Sequence, residues 1–148
     1  MASPSTFRRN SDVAPKSKGP RRKTRVVVAD DNDTYRHALL TVLKGVPSVE
    51  IVGQAAGGEE CLRLVEALAP DVVLLDVNMP QLSGIEVARR LKSGEHPPQV
   101  VILSLSDAGD GRAAALSAGA DAYVAKAAAL TELVPLLVDL PQQRTAGR

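Results

Sequence analysis

Short, unbroken apolar runs that alternate with segments of helical spacing constrain this chain more than any other feature of its sequence. The runs predict strands over residues 25–30, 49–55, 71–76, 100–104 and 122–126. Between and after them, apolar residues recur every three or four positions and predict helices over residues 33–44, 59–68, 83–92, 111–118 and 131–140. Such alternation requires parallel strands joined by right-handed crossovers, with helices on both faces of the sheet.

The predicted strands read mainly as continuous apolar runs rather than alternating ones, as strands covered on both faces must. Aromatic residues make up only 2% of the chain and tryptophan is absent, so the core has to be built from Val, Leu, Ile and Ala. We therefore expect one α/β domain over residues 24–140, with a doubly wound, flavodoxin-like parallel sheet of strand order 2-1-3-4-5. In such sheets the ligand crevice lies at the carboxyl ends of the strands.

A basic tail precedes this predicted domain, although the net charge of the whole chain is only +1. Residues 1–25 contain eight Lys or Arg residues and one acidic residue, and residues 1–23 have almost no apolar side chains. Such a segment is expected to be disordered. It could attract nucleic acid or an acidic membrane surface, but a solvated tail that aids solubility is the favoured interpretation.

Residues 141–148 are predicted to form a short C-terminal tail, too short for an output domain. No apolar run approaches the roughly 20 residues that span a bilayer, and the first residues lack the apolar stretch of a secretory signal. The single cysteine, Cys61, is expected to be a small core residue. The sequence thus favours a cytoplasmic protein without a membrane span.

Polar side chains stand where four of the predicted strands end. Asp30 and Asp31 follow the first strand, Asp76 the third, Ser104 the fourth and Lys126 the fifth. Converging carboxylates repel one another, and a hard divalent ion with oxygen ligands such as Mg²⁺ relieves that repulsion. A carboxylate is also a nucleophile toward phosphorus, and an ammonium group with Mg²⁺ stabilises the charge of a transferring phosphoryl group. A serine hydroxyl could donate a hydrogen bond to one of its oxygens.

Each of these residues alone has a simpler interpretation. Asp31 and Asp33 could be favourable charges at a helix N-terminus. Ser104 could form a turn, and Lys126 could be solvated. Because the residues come from four strand ends of one predicted edge, the sequence favours a common phosphoryl-transfer site.

Residues 25–140 resemble the receiver domains of response regulators in two-component signalling, the CheY-like superfamily. The resemblance depends on motifs that occur in order. These are the acidic pair 30–31, the run Leu-Leu-Asp-Val-Asn-Met-Pro at 74–80 with Ser-Gly at 83–84, Ser104 after Val-Val-Ile-Leu, and Ala-Gly-Ala-Asp-Ala-Tyr-Val-Ala-Lys at 118–126.

The resemblance implies roles for the residues that bind metal and phosphate. Asp76 would be the phosphoacceptor and one of the Mg²⁺ ligands. Asp31 would bind Mg²⁺ directly and Asp30 mainly through water, while the backbone carbonyl of Asn78 would supply a further ligand. The phosphoryl donor would be a histidine kinase or a phosphotransfer protein.

The resemblance also implies a conformational switch. Ser104 and Lys126 would contact the phosphoryl oxygens, and Tyr123 would turn inward when Ser104 moves toward the phosphate. The side chains of Asn78 and Ser106 would tune hydrolysis of the aspartyl phosphate. The signal would pass to an unidentified protein through the face of the fourth helix, fifth strand and fifth helix, and the sequence leaves open whether phosphorylation drives dimerisation.

Two features depart from the family's pattern. Ala127 follows the lysine, where many receivers carry a proline, so the loop of Lys126 is expected to be less rigid. Pro135 lies within the last predicted helix, and with Thr131 as the N-cap it would fall in the first turn, where a missing N–H costs little. Without an output domain, the chain is expected to act through another protein or as a phosphoryl sink.

Two other functions remain open from the sequence. An aspartate-nucleophile phosphatase of the haloacid dehalogenase type would use Asp31 as nucleophile and Asp33 as acid–base, but its downstream acidic pair is missing. A degenerate receiver or flavodoxin-like binder would serve only as an interaction module. The favoured interpretation is a switch that catalyses only its own phosphorylation and dephosphorylation and is not otherwise an enzyme.

Overall fold

A computed structural model describes residues 22–105 and 109–146. Most of the predicted N-terminal tail and Ser106 therefore lie outside the described residues. The elements follow one another as β1 (Thr24–Ala29), α1 (Asp33–Lys44), β2 (Val49–Ala55), α2 (Gly58–Leu68), β3 (Val72–Asp76), α3 (Gly84–Lys92), β4 (Gln99–Ser104), α4 (Gly109–Ser117), β5 (Ala122–Ala125), a 3-10 turn (Lys126–Ala128) and α5 (Ala129–Ala146).

The five strands form one parallel sheet of order β2-β1-β3-β4-β5. This confirms the doubly wound topology and the strand order expected from the sequence. Strand β3 lies in the middle and every one of its residues is buried. Because β1 and β4 flank β3, their carboxyl ends lie on either side of its last residue, Asp76.

Alternate residues of each strand face two separate cores, which explains why the inner strands β3 and β4 are buried along their whole length. The edge strand β2 instead exposes Glu50 and Gln54. Val27 and Ala29 pack with Cys61 and Val87 in the core under α2, α3 and α4. The second core, under α1 and α5, contains the other side chains of β1 and the apolar stripe of each helix: Val26, Val28, Leu39, Leu43, Leu133 and Leu137. Cys61 is fully buried, as expected, and burial raises the pKa of its thiol to about 12.

Side-chain caps determine where two of the helices begin, each contributing about 1 kcal/mol. The Asn32 side chain accepts a hydrogen bond from the Tyr35 backbone N–H and caps α1 directly after the end of β1. The Ser83 hydroxyl accepts one from the Glu86 N–H and caps α3. Both caps terminate loops that leave the carboxyl edge of the sheet, so they also fix the loops that border the crevice.

At the amino ends of the strands, the domain contacts the last residues of the predicted basic tail. Arg22 makes two 3.1 Å hydrogen bonds to the Asp71 carboxylate, which also accepts the backbone N–H of Arg25 at 2.8 Å. Burial would raise the pKa of Asp71, but these bonds and charges outweigh it and lower the pKa. Arg22, at the end of the predicted tail, therefore contacts the domain at the amino ends of the strands, away from the strand ends that bear the acidic residues.

The last helix differs from its prediction at both ends. It begins at Ala129, because the 3-10 turn leads into it with the Ala129 N–H bonded to the Lys126 carbonyl. Thr131 is therefore not the N-cap: its hydroxyl donates to the Ala128 carbonyl from within the first turn. Pro135 lies beyond that turn, where it has no N–H to donate to the carbonyl of Thr131 four residues earlier. The helix continues past Leu140 into the predicted C-terminal tail and ends at Ala146.

Among the described residues, no helix combines the length and the apolar character needed to cross a membrane.

Candidate functional site

The strand ends bring four buried polar side chains to one edge of the sheet. Asp30 follows β1, Asp76 and Ser104 are the last residues of β3 and β4, and Lys126 follows β5. Pairing of Asp76 with Leu103 and of Ser104 with Ala125 keeps these ends level. These four residues expose only 0–7% of their surface to solvent. The predicted convergence of these positions is therefore found in the structure.

The ammonium group of Lys126 lies between two carboxylates. Its Nζ is 2.7 Å from Asp30 Oδ2 and 3.4 Å from Asp76 Oδ1. Asp30 Oδ1 accepts the backbone N–H of Asn32 at 2.8 Å, whereas its buried Oδ2 accepts no hydrogen bond of normal angle from the described residues. The ion pair with Lys126 thus supplies the main compensation for burying the Asp30 charge.

Asp31 adds a third, exposed carboxylate to this pair. One oxygen from each of Asp30, Asp31 and Asp76 can be chosen so that all lie within 4.8 Å of one another. With Lys126, these groups carry three negative charges and one positive charge, which leaves a net −2 for a cation to neutralise. An all-oxygen, carboxylate-rich donor set suits a hard divalent ion, so these residues fit the Mg²⁺ expected from the sequence.

Asn78 contacts the site through its backbone. Its N–H donates to Asp76 Oδ1 at 3.3 Å, and the residue is exposed at the mouth of the site. The turn that makes this bond places Asn78 beside the central carboxylate. The metal-ligand role of its carbonyl and the effect of its side chain on hydrolysis stay predictions.

The surroundings of Asp76 disfavour its ionised form. Burial and the negative charge of Asp30 raise the pKa of Asp76 to about 6, against the opposing effects of Lys126 and the Asn78 N–H. A neutral carboxyl group is a weak ligand and a weak nucleophile. A cation that joined the acidic group would favour the ionised, reactive form of Asp76.

Two residues of α1 also reach the site, and their roles were not predicted. The Tyr35 ring centroid is 4.6 Å from Lys126 Nζ, and the Tyr35 hydroxyl donates to the Lys126 carbonyl at 3.2 Å. Arg36 donates from Nη1 to the Asp30 carbonyl and from Nε to Gln54 Oε1 at 2.9 Å. Tyr35 stands three and four residues before Ala38 and Leu39, which is the spacing of the buried face of a helix, and that spacing was the available signal. Nothing in the spacing indicated that Arg36 would hold the backbone of the acidic loop.

The expected switch residues are both buried, on neighbouring strands. Tyr123 on β5 pairs with Ile102 on β4, two residues before Ser104. Its ring lies under the first half of α4, where the Arg112 guanidinium carbon is 5.0 Å from the ring centroid. A Cβ atom built on Gly111 would come within 2.8 Å of the Tyr123 hydroxyl, so the ring fills the space under that glycine. The coupling of these residues to phosphorylation stays a prediction.

The loop after Asp76 returns so closely that only glycine fits at position 84. A Cβ atom there would lie 2.1 Å from the Asp76 carbonyl oxygen, and the Gly84 N–H donates to the Val77 carbonyl at 2.8 Å. The start of α3 is thus packed directly against the backbone of the central carboxylate.

The substitution Gly84→Ala should lower the free energy of unfolding by about 3 kcal/mol, because the added methyl group must displace backbone in a filled site. Urea denaturation measures this loss. Gly94→Ala is the matched control, since a Cβ atom there meets its nearest heavy atom at 3.6 Å. Equal denaturation midpoints for the two variants would contradict the close packing of α3 on Asp76.

The sequence and the fold are similar to those of known signalling proteins. A family model described as the response regulator receiver domain matches residues 26–137. The response regulator GacA of Pseudomonas aeruginosa is 37% identical over 110 residues, covering 74% of this chain and 51% of that protein. NarL of Mycobacterium tuberculosis, described as a transcriptional regulatory protein, is 37% identical over 122 residues, covering 82% of this chain and 56% of its own length. The solved signal receiver domain of that NarL superposes with a TM-score of 0.79 at 36% identity, covering 82% of this chain and 98% of the domain.

This chain spans about half the length of the curated relatives it matches. The matched segment nevertheless includes every strand end that contributes to the acidic site. Sequence, topology and site position agree on the same group of proteins. The chain belongs to the response regulator receiver family and is the receiver domain of a response regulator in two-component signalling.

Proposed function

We propose that this receiver is a Mg²⁺-dependent phosphoryl acceptor on Asp76 in a histidine-to-aspartate phosphorelay. The observation that carries the proposal is the position of the Lys126 ammonium between Asp30 and Asp76, with Asp31 completing an acidic group that fits a divalent ion. Such a site combines a carboxylate nucleophile with positive charge for the transferring phosphoryl group.

In the proposed reaction an Asp76 carboxylate oxygen attacks the phosphorus atom of the donor. A bond between that oxygen and phosphorus forms, while the phosphorus–nitrogen bond of a phosphohistidine breaks and the imidazole takes up a proton. When bound, Mg²⁺ would neutralise charge on the carboxylates and the phosphoryl oxygens. Lys126 would hold its ammonium beside the phosphoryl group, and the hydroxyl of Ser104 would donate to one of its oxygens.

The phosphoryl donor on this proposal is a histidine kinase or a phosphotransfer protein, and the chain turns over no external substrate. The phosphorylated form would signal to another protein through α4, β5 and α5. Helix α4 suits a mobile element: residues 112–114, 116 and 117 are exposed, and Ala115 is the one buried residue among the side chains of α4 that the structure describes. Few buried contacts let a segment shift at low free-energy cost. A dimer, nucleic-acid contact by the basic tail and the cytoplasmic location stay predictions.

The proposal is tested by incubating the protein with acetyl phosphate and Mg²⁺ and measuring its intact mass, with a parallel sample in EDTA. We expect the mass of one phosphoryl group to be added only with Mg²⁺, and peptide mapping to place it on Asp76. Labelling on Asp31 would instead favour an aspartate-nucleophile phosphatase of the haloacid dehalogenase type. The absence of labelling by acetyl phosphate and by other small phosphodonors would overturn the proposal. It would favour a degenerate receiver that serves only as an interaction module.

A further inference from the structure

Lys126 is held at both of its ends by one side chain from another element, Tyr35. The lysine begins a 3-10 turn and is not part of β5, so the strand does not fix its backbone. The Tyr35 hydroxyl donates to its main-chain carbonyl at 3.2 Å, and the Tyr35 ring centroid lies 4.6 Å from its ammonium nitrogen. These two contacts join the first turn of α1 to the segment after β5.

The contact between the Tyr35 ring and the Lys126 ammonium is buried, and burial strengthens such contacts. The Lys126 side chain is 6% exposed, and cation–π attraction increases when the cation is removed from water. Burial, followed by the charges of Asp30 and Asp76, raises the pKa of Tyr35 to about 12. The hydroxyl therefore stays protonated and able to donate to the Lys126 carbonyl throughout the neutral range.

The two carboxylates hold the ammonium unequally. Asp30 Oδ2 is 2.7 Å from Lys126 Nζ, whereas Asp76 Oδ1 is 3.4 Å away. The ammonium already contacts the fully buried Asp30, so an ammonium held by charge alone could keep that contact and lose its longer approach to Asp76, the proposed phosphoacceptor. A fixed ring face and a fixed backbone carbonyl restrict that movement.

We propose that Tyr35 is a positioning residue that holds the Lys126 ammonium beside Asp76, so that its charge is in place for phosphoryl transfer. This inference rests on the proposed function and names the residue that prepares the site for it. The ring carries the larger part of the effect, because it acts on the charged group itself. The Tyr35 hydroxyl acts only on the main chain of Lys126, which is separated from the ammonium by the length of the lysine side chain.

Two variants separate the contacts. Tyr35→Phe keeps the ring and removes the hydroxyl, while Tyr35→Leu removes both and keeps an apolar side chain. With acetyl phosphate and Mg²⁺ we expect Tyr35→Leu to lower the phosphorylation rate constant about tenfold and Tyr35→Phe to lower it no more than about twofold. The Kd for Mg²⁺ should change little in either variant, since within the described part of the chain the Tyr35 hydroxyl donates to the Lys126 carbonyl and not to Asp30, Asp31 or Asp76.

A spectroscopic readout tests the positioning directly. Protons beside the Lys126 ammonium lie near an aromatic ring face, so their NMR resonances should be shifted upfield in the original protein by the ring current. The shift should persist in Tyr35→Phe and disappear in Tyr35→Leu. Val46→Ala is the matched control, because Val46 packs against the same core as Tyr35 but follows the far end of α1. It should lower stability and leave the rate and the resonances unchanged.

The outcomes distinguish the inference from the proposed function. If the original protein takes up no phosphoryl group, the proposed function fails, while the NMR comparison still reports on the Lys126 position. If it is phosphorylated and Tyr35→Leu reacts equally fast, or if the upfield shift survives in Tyr35→Leu, the positioning role is overturned. A rate lost equally in Tyr35→Phe and Tyr35→Leu would also overturn it, since the ring could not then be the effective part.

Discussion

Replacement of Asp76 by asparagine should abolish acyl-phosphate formation without unfolding the protein. The amide has nearly the same shape but no anionic oxygen to attack phosphorus, so we expect labelling by acetyl phosphate to fall by at least about 10³-fold. The raised pKa of Asp76, about 6, shows that its negative charge is disfavoured where it lies. Neutralising it removes repulsion from Asp30, and Lys126 keeps its closer partner at 2.7 Å. The free energy of unfolding should therefore be unchanged or increased.

Intact-mass measurement and urea denaturation of the same preparation separate loss of chemistry from loss of structure. Asp33→Asn is the matched control: Asp33 is exposed in the first turn of α1, pairs with Arg36 and is not among the three clustered carboxylates. It should be labelled at the normal rate, which an acid–base role in a phosphatase would not permit. An Asp76→Asn protein that still gained a phosphoryl group would show that another residue is the acceptor.

The largest loss of stability is expected from Lys126→Ala in the absence of divalent ions. This change leaves the carboxylates of Asp30 and Asp76, 0% and 5% exposed, without their shared counter-charge. Removing one partner of a buried ion pair costs about 3–5 kcal/mol, since the remaining charge is uncompensated. Phosphorylation should fall about 10²–10³-fold as well, because the positive charge for the transferring group is lost.

Mg²⁺ should restore much of that stability. A divalent ion on the carboxylates would replace the missing charge, and without the ammonium it would meet less repulsion. We therefore expect Mg²⁺ to raise the urea midpoint of Lys126→Ala more than that of the original protein, as ligand binding to the folded state requires. Lys92→Ala is the control: Lys92 pairs with Asp121 at the opposite edge, 2.9 Å away and partly exposed, so its loss should be small and independent of Mg²⁺. Equal Mg²⁺ effects on all three proteins would contradict a shared carboxylate and ammonium site.

The sheet and the position of the acidic residues were open to prediction because both follow from local patterns. Runs such as Val26-Val27-Val28 can only be covered on two faces, and parallel strands end at one edge. Residues at the carboxyl ends of such runs therefore lie close together, and this does not depend on how the helices pack on the sheet. Asp30, Asp76 and Ser104 could be brought together in this way from the printed sequence alone.

The last helix shows where local patterns were insufficient. Thr131 is a good capping residue, and a helix starting there would also place Pro135 in its first turn. The helix instead begins at Ala129, directly after the 3-10 turn that starts at Lys126. Burial of Ala129, Leu133 and Leu137 in the core under α1 and α5 favours this earlier start, and that core is assembled from distant segments.

The sequence by itself determined the class of fold and the set of charged groups at one edge of the sheet, because hydrophobic period and parallel pairing are properties of segments. The expected strand order came from the likeness to flavodoxin-like sheets, since the same alternation is compatible with other doubly wound orders. Only the tertiary structure decided how those groups meet. The partition of Lys126 between Asp30 and Asp76 joins three different strand ends. The contacts of Tyr35 with Lys126 join residues that are 91 positions apart. Contacts of this kind depend on how α1 packs beside α5, and no spacing within either segment specifies that distance.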